Sequence, residues 1–212
     1  MPKLVGFSLD QTQCDWIFRP IRSKRDSLLL LMRSLKFAMI ARYIDPPQDP
    51  RGRITFYVDK MNRIFYTSER KVFSIACPFF ITESDSGLVF RDSFYPEIDS
   101  KVTSDVISVL EHDPALSHPE FHFFVDHVFP YSEYDSNFWQ MLRRLMLSED
   151  GYIRYDQDPS NENGSRHPLH HLDIFYGSHA SFKLGLMNGL DEAQLRDVLD
   201  LNTDCYYATV RG

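Results

Sequence analysis

Residues 27–44, SLLLLMRSLKFAMIARYI, are apolar almost throughout, with Arg33, Lys36 and Arg42 as the interruptions. This spacing predicts a buried helix, and the charges exclude a membrane span, which needs about 20 mostly uncharged apolar residues. Pro46, Pro47 and Pro50 in DPPQDPRGR (45–53) end it, because proline lacks an amide donor and restricts the residue before it. The pattern then changes. RITFYVD (53–59) and RIFYTS (63–68) are rich in β-branched and aromatic residues and are joined by KMN, which predicts a hairpin. KVFSIACPFF (71–80) and GLVF (87–90) are expected to extend the same antiparallel sheet.

Ile98, Val102, Val106, Val109 and Leu110 recur at helical spacing within 97–112, and FHFFVDHVF (121–129) reads as a strand. A second amphipathic helix is predicted over 136–151, with Ser136 as N-cap and Gly151 just past its end. Strands follow at 152–156, 171–176 and 181–186. A last helix starts near Asp191, where Gln194 three residues on completes a capping-box pattern. The fold class expected is α+β: a mainly antiparallel sheet with an N-terminal long helix and further helices packed on it. One domain over 1–212 is expected, with a helical part (1–44) packed on a strand-rich body (51–212). No internal repeat or low-complexity tract is apparent.

Strand parity assigns side chains to faces. In YIRYD (152–156), Arg154 and Asp156 share a face, and Ile153 and Tyr155 take the other. In HLDIFY (171–176), His171 and Asp173 share a face opposite Leu172, Ile174 and Tyr176. If these segments pair, one face gathers Arg154, Asp156, His171 and Asp173, and His122 and Asp126 fall on one parity of 121–129. Three chemistries can use such a set. His171 flanked by Asp173 or Asp156 suits a general acid or base near neutral pH, with Arg154 as a bidentate phosphate clamp. No thiol or activated serine is in view, so phosphodiester cleavage with an RNA 2′-hydroxyl as internal nucleophile matches best. Alternatively, His167, His170, His171 and Asp173 offer imidazole and carboxylate ligands to a divalent metal, although the spacing H-x-x-H-H-x-D matches no well-defined zinc motif. Third, the face binds an anionic ligand or a partner protein.

Charge and cysteine content narrow the field. The formal net charge is −7, which excludes a protein that is basic overall and sheathes nucleic acid. The basic run RSKRD (22–26) reads as a solvated first helical turn, and no local basic funnel is evident. Cys14, Cys77 and Cys205 are widely spaced and form no C-x-x-C pair. That argues against a disulfide framework and agrees with a reducing cytoplasm. MPKLVGFSLD has no signal-peptide layout. Trp16, Trp139 and the Phe-rich runs read as core, and DPSNENG (158–164) as a polar turn.

GYIRYDQDP, HPLHHLDI, FKLGL and CYY together resemble a bacterial family of about this length, catalogued only as a domain of unknown function. Its His-Pro-Leu-x-His-Leu core is matched by His167, Pro168, Leu169, His171 and Leu172. A shorter likeness, over about 153–173, is to TumE-type toxins, regarded as RNA-cleaving. It implies Arg154, Asp156, His170 and His171 as nuclease residues. The expected function is therefore an RNase-like enzyme acting on phosphodiesters in a toxin or phage-defence system. The alternative is a non-enzymatic interaction subunit of such a complex.

Overall fold

The computed structural model describes residues 3–58, 61–84, 87–112, 136–177 and 180–203. Among these, a seven-stranded antiparallel sheet runs in the order β1-β2-β3-β4-β7-β8-β9. Its strands are β1 (Lys3–Leu9), β2 (Gly52–Val58), β3 (Arg63–Ser68), β4 (Lys71–Ala76), β7 (Ile153–Gln157), β8 (His170–Gly177) and β9 (Ala180–Leu186). The helices are α1 (Gln11–Ile17), α2 (Lys24–Ala41), α3 (Ser100–His112), α4 (Ser136–Leu147) and α5 (Glu192–Leu199). The α+β class with a mainly antiparallel sheet holds. No helix among the described residues is long and apolar enough to cross a membrane.

Two expectations are corrected. The N-terminal part is not purely helical: Lys3–Leu9 is a strand that pairs along its whole length with β2. Its sequence, KLVGFSL, has weak alternation, and the pairing partner supplies what the local pattern lacks. Nor do 80–91 extend the main sheet. β5 (Phe80–Ser84) and β6 (Gly87–Arg91) form a separate two-stranded hairpin. The segment 121–129, with His122 and Asp126, lies outside the described residues.

Parity divides the sheet's apolar side chains into two layers. Ile54, Phe56, Ile64, Tyr66, Phe73 and Ile75 face inward, where they meet Leu28, Leu31 and Leu35 of α2. Val102, Val106 and Leu110 of α3 and Phe138, Met141, Leu142 and Leu145 of α4 complete this core. Ser34 of α2 shares a buried 2.8 Å hydroxyl hydrogen bond with Tyr66 of β3, which satisfies two polar groups and fixes α2 on the sheet. Outward, Tyr57, Phe65, Val72, Ile153, Tyr155 and Leu172 form a smaller cluster around Leu195 of α5. Helix α5 starts with the expected capping box, Asp191 accepting from the Gln194 amide and Gln194 from the Asp191 amide.

Leu195 is fully buried within the outer cluster, and partly buried Leu199 of the same helix packs against that cluster. Leu195→Ala is expected to cost about 2–5 kcal/mol, the range for a large-to-small change in a core. The shift of the urea unfolding midpoint measures it.

Candidate functional site

The inward face that is apolar across β1–β4 turns polar at β7 and β8. The two strands pair antiparallel with Arg154 opposite Asp173 and Asp156 opposite His171. The parity argument thus brings all four side chains together. Ile153, Tyr155 and Leu172 point to the outer cluster and anchor the strands from behind. The chain between them is an ordered polar turn: Asp158 accepts from the Asn161 amide, and Gly164 takes the left-handed conformation at φ +50°.

Arg154 is the hub. Its Nε donates to Asp156 Oδ2 at 2.6 Å, its Nη2 to Asp173 Oδ2 at 2.5 Å, and its Nη1 to the Tyr152 hydroxyl at 3.3 Å. Burial opposes the charged guanidinium, but Tyr152, Asp156 and Asp173 outweigh it, so its pKa is raised. The reading of Arg154 as a free phosphate clamp is corrected, because its donors are already directed at two carboxylates. Tyr152 stands edge-on to Phe73 at 5.7 Å, and Phe73 stacks on Tyr66 at 4.5 Å. A row of rings thereby ties the polar cluster to the core.

His171 is 1% exposed. Its Nδ1 lies 3.0 Å from the Pro168 carbonyl, which can only accept, so Nδ1 carries the proton and donates. Its Nε2 faces Asp156 Oδ2 at 3.8 Å and Asp173 Oδ2 at 3.9 Å, too far for direct hydrogen bonds. The partner of His171 on β9 is Gly185. A Cβ there would lie 2.9 Å from the Pro168 ring, so the glycine makes room for the proline whose carbonyl orients His171. His167 meets the His171 ring edge at 4.6 Å and lies 2.9 Å from Lys183 Nζ through Nε2. His170 is corrected: it lies on the other face, with Nδ1 2.8 Å from the Tyr155 hydroxyl.

The donor set bears on a metal. One ligand atom from each of Asp156, His171 and Asp173 lies within 4.8 Å of the others. Arg154, however, occupies the two Oδ2 atoms that would share an ion, and Lys71 and Lys183 lie 3.7 Å and 3.6 Å from the remaining Asp156 and Asp173 oxygens. With those cations seated, the negative charge is already matched, and the arrangement does not fit a divalent ion.

Arg154 and Asp156 open into a cleft of about 550 Å³, whose walls include Pro20, Ile21 and Arg22 from the α1–α2 connector, Arg70 from the β3–β4 turn and Lys71 from the start of β4. His171 and Asp173 lie behind them and do not line it. Arg22, Arg70 and Lys71 were not expected here. RSKRD is not merely a solvated turn, since its Arg22 lines the cleft, and its backbone N–H is held by Asp26 at 3.0 Å. The Arg70 carbonyl accepts from the Gln157 amide at 2.9 Å, so the turn tip is fastened to the end of β7. Within the cluster, Asp156 Oδ1 is buried without a hydrogen-bond partner.

No family model, curated protein or solved structure matches the chain. The two resemblances therefore rest on their motifs alone.

Arg154→Met leaves two buried carboxylates without their shared partner, and a loss of about 3–5 kcal/mol is expected. Adding Asp156→Leu and Asp173→Leu is expected to restore most of it, because no unpaired charge then remains. Denaturant unfolding of the single and triple variants measures both effects.

Proposed function

We propose that the protein is a phosphodiester-acting enzyme of the RNase type, which holds an RNA backbone in the cleft beside Asp156. One observation carries the reading: a cleft bordered by Arg22, Arg70 and Lys71 is lined by Asp156, a carboxylate whose Oδ1 has no hydrogen-bond partner. Lys71 Nζ stands 3.7 Å from that oxygen, and a bound phosphate draws the ammonium toward itself and frees Asp156 Oδ1. Asp156 then accepts the proton of a 2′-hydroxyl. The 2′-oxygen attacks the adjacent phosphorus, and the bond to the 5′-oxygen breaks. The products are a 2′,3′-cyclic phosphate and a 5′-hydroxyl end, the latter taking its proton from water.

The cations at the cleft wall stabilise the charge that develops on the phosphoryl oxygens. Arg154, which donates to Asp156 Oδ2, keeps that carboxylate aimed. His171 and Asp173 act one layer back as positioning residues. This replaces the expectation that His171 itself exchanges a proton with substrate, since a 1% exposed ring behind Asp156 does not reach the cleft. A toxin or phage-defence role rests on the same activity.

The reading as a non-enzymatic interaction subunit has one observation in its favour. The end of α2 and the residues after it expose Ile40, Tyr43 and Ile44, with Tyr43 71% exposed, and aromatic anchors of this kind are common in interfaces.

Purified protein is expected to cut a labelled single-stranded RNA and leave a 2′,3′-cyclic phosphate. Asp156→Asn is expected to slow cutting by about 10²–10⁴-fold, the usual contribution of a positioned general base, with the circular dichroism spectrum unchanged. An RNA carrying 2′-O-methyl groups throughout should remain intact. Cutting of the methylated strand would show that the proposed nucleophile is wrong, independently of any effect on folding.

A further inference from the structure

A second cleft, of about 670 Å³, adjoins the first and shares Pro20 and Arg70 with it. It runs between α1 and the strand ends, with Arg19 and Arg51 on its walls and half-buried Phe18 among its lining residues. We infer that the two clefts form one groove for a single-stranded nucleic acid, in which Arg19 and Arg51 hold a neighbouring phosphate of the strand bound at Asp156. The inference rests on the phosphodiester reading and adds a subsite to it.

Charge supports this. Arg19, Arg22, Arg51, Arg70, Lys71 and Arg154 line the combined groove against four carboxylates, Asp15, Glu69, Asp156 and Asp158. The groove is thus net cationic on a chain whose formal charge is −7. Excess cation along a channel is what a polyphosphate backbone requires, while a solvated acidic surface elsewhere repels it.

The placement of the cations is also built into the backbone. The Arg51 amide donates to the Leu9 carbonyl at 2.8 Å, which fixes the start of β2 beside the end of β1. Gly52 keeps this junction close, since a Cβ there would lie 2.8 Å from Cys14 Sγ and 2.9 Å from the Thr67 carbonyl. Arg19 Nε donates to the Asp15 carbonyl at 3.2 Å, and its terminal nitrogens make no hydrogen bond or ion pair among the described residues. Arg51 pairs with Asp49 at 2.5 Å, but both side chains are more than half exposed, and an exposed pair of this kind yields readily to a phosphate. Arg70, at the shared wall, has no ion-pair partner among the described residues and is placed to serve both subsites.

The test compares labelled single-stranded RNAs of two and six nucleotides, 2′-O-methylated throughout so that they cannot be cut by the proposed route, by fluorescence anisotropy at several salt concentrations. The hexanucleotide is expected to bind at least about tenfold more tightly than the dinucleotide, with a steeper salt dependence. The double variant Arg19→Glu, Arg51→Glu should remove that advantage and lower the slope of log K against log salt by about 0.7, the value for one phosphate contact on a single strand. It should leave dinucleotide affinity within twofold, which also reports an intact fold. Equal binding of both lengths, or a hexanucleotide indifferent to the double substitution, overturns the groove and leaves the phosphodiester reading in place. Absence of binding by either RNA overturns both.

Discussion

Arg154 bridging Asp156 and Asp173 is the interaction on which the arrangement depends. Two carboxylates that are 8% and 5% exposed sit on adjacent strands within reach of one guanidinium. Buried charges are tolerated only when paired and hydrogen-bonded. The pairing therefore imposes a register: a slip of one residue of β8 against β7 would send Asp173 and His171 to the apolar outer face, away from Arg154 and Asp156. Once the register is held, His171 is carried opposite Asp156, and its ring is aligned by the Pro168 carbonyl.

The rest of the fold can be read as support for that pair of strands. From behind, Leu195 of α5 seals the outer face against Tyr155 and Leu172. From the core side, the row Tyr66, Phe73, Tyr152 carries rigid packing up to the Tyr152 hydroxyl that receives an Arg154 hydrogen bond. Gly185 illustrates how a missing side chain contributes: the space it leaves on β9 is filled by the proline ring of the β7–β8 loop. The HPL motif and the glycine of FKLGL are thus two halves of one contact.

Net charge and local charge diverge in this protein. A formal −7 describes the whole surface, yet Arg22, Arg70 and Lys71 meet at a single cleft beside Asp156. Screening confines most surface charges to about 8–10 Å at ordinary ionic strength, so a ligand in the cleft experiences its walls more than the distant acidic surface. A buried Asp/His/Asp/Arg cluster by itself is a structural network. The cationic approach to its one cleft-lining carboxylate is what turns the network into a candidate catalytic centre.

Alternation along 152–156 and 171–176 places Arg154 with Asp156 and His171 with Asp173 on one face of each strand, and Asp191 with Gln194 marks the start of the last helix. These are local properties, since side-chain direction in a strand and capping at a helix start depend on a few consecutive residues. Other features could not be read that way. Lys3–Leu9 became a strand through its partner β2, β5 and β6 left the main sheet, and His170, counted as a site residue, turned to Tyr155. The engagement of Arg154 and the convergence of Arg22, Arg70 and Lys71 arise from chain segments far apart in sequence. The sequence by itself determined which face each residue of a strand would take. Only the tertiary structure decided which faces, turns and connectors would meet, because that depends on long-range packing and charge pairing that no local period records.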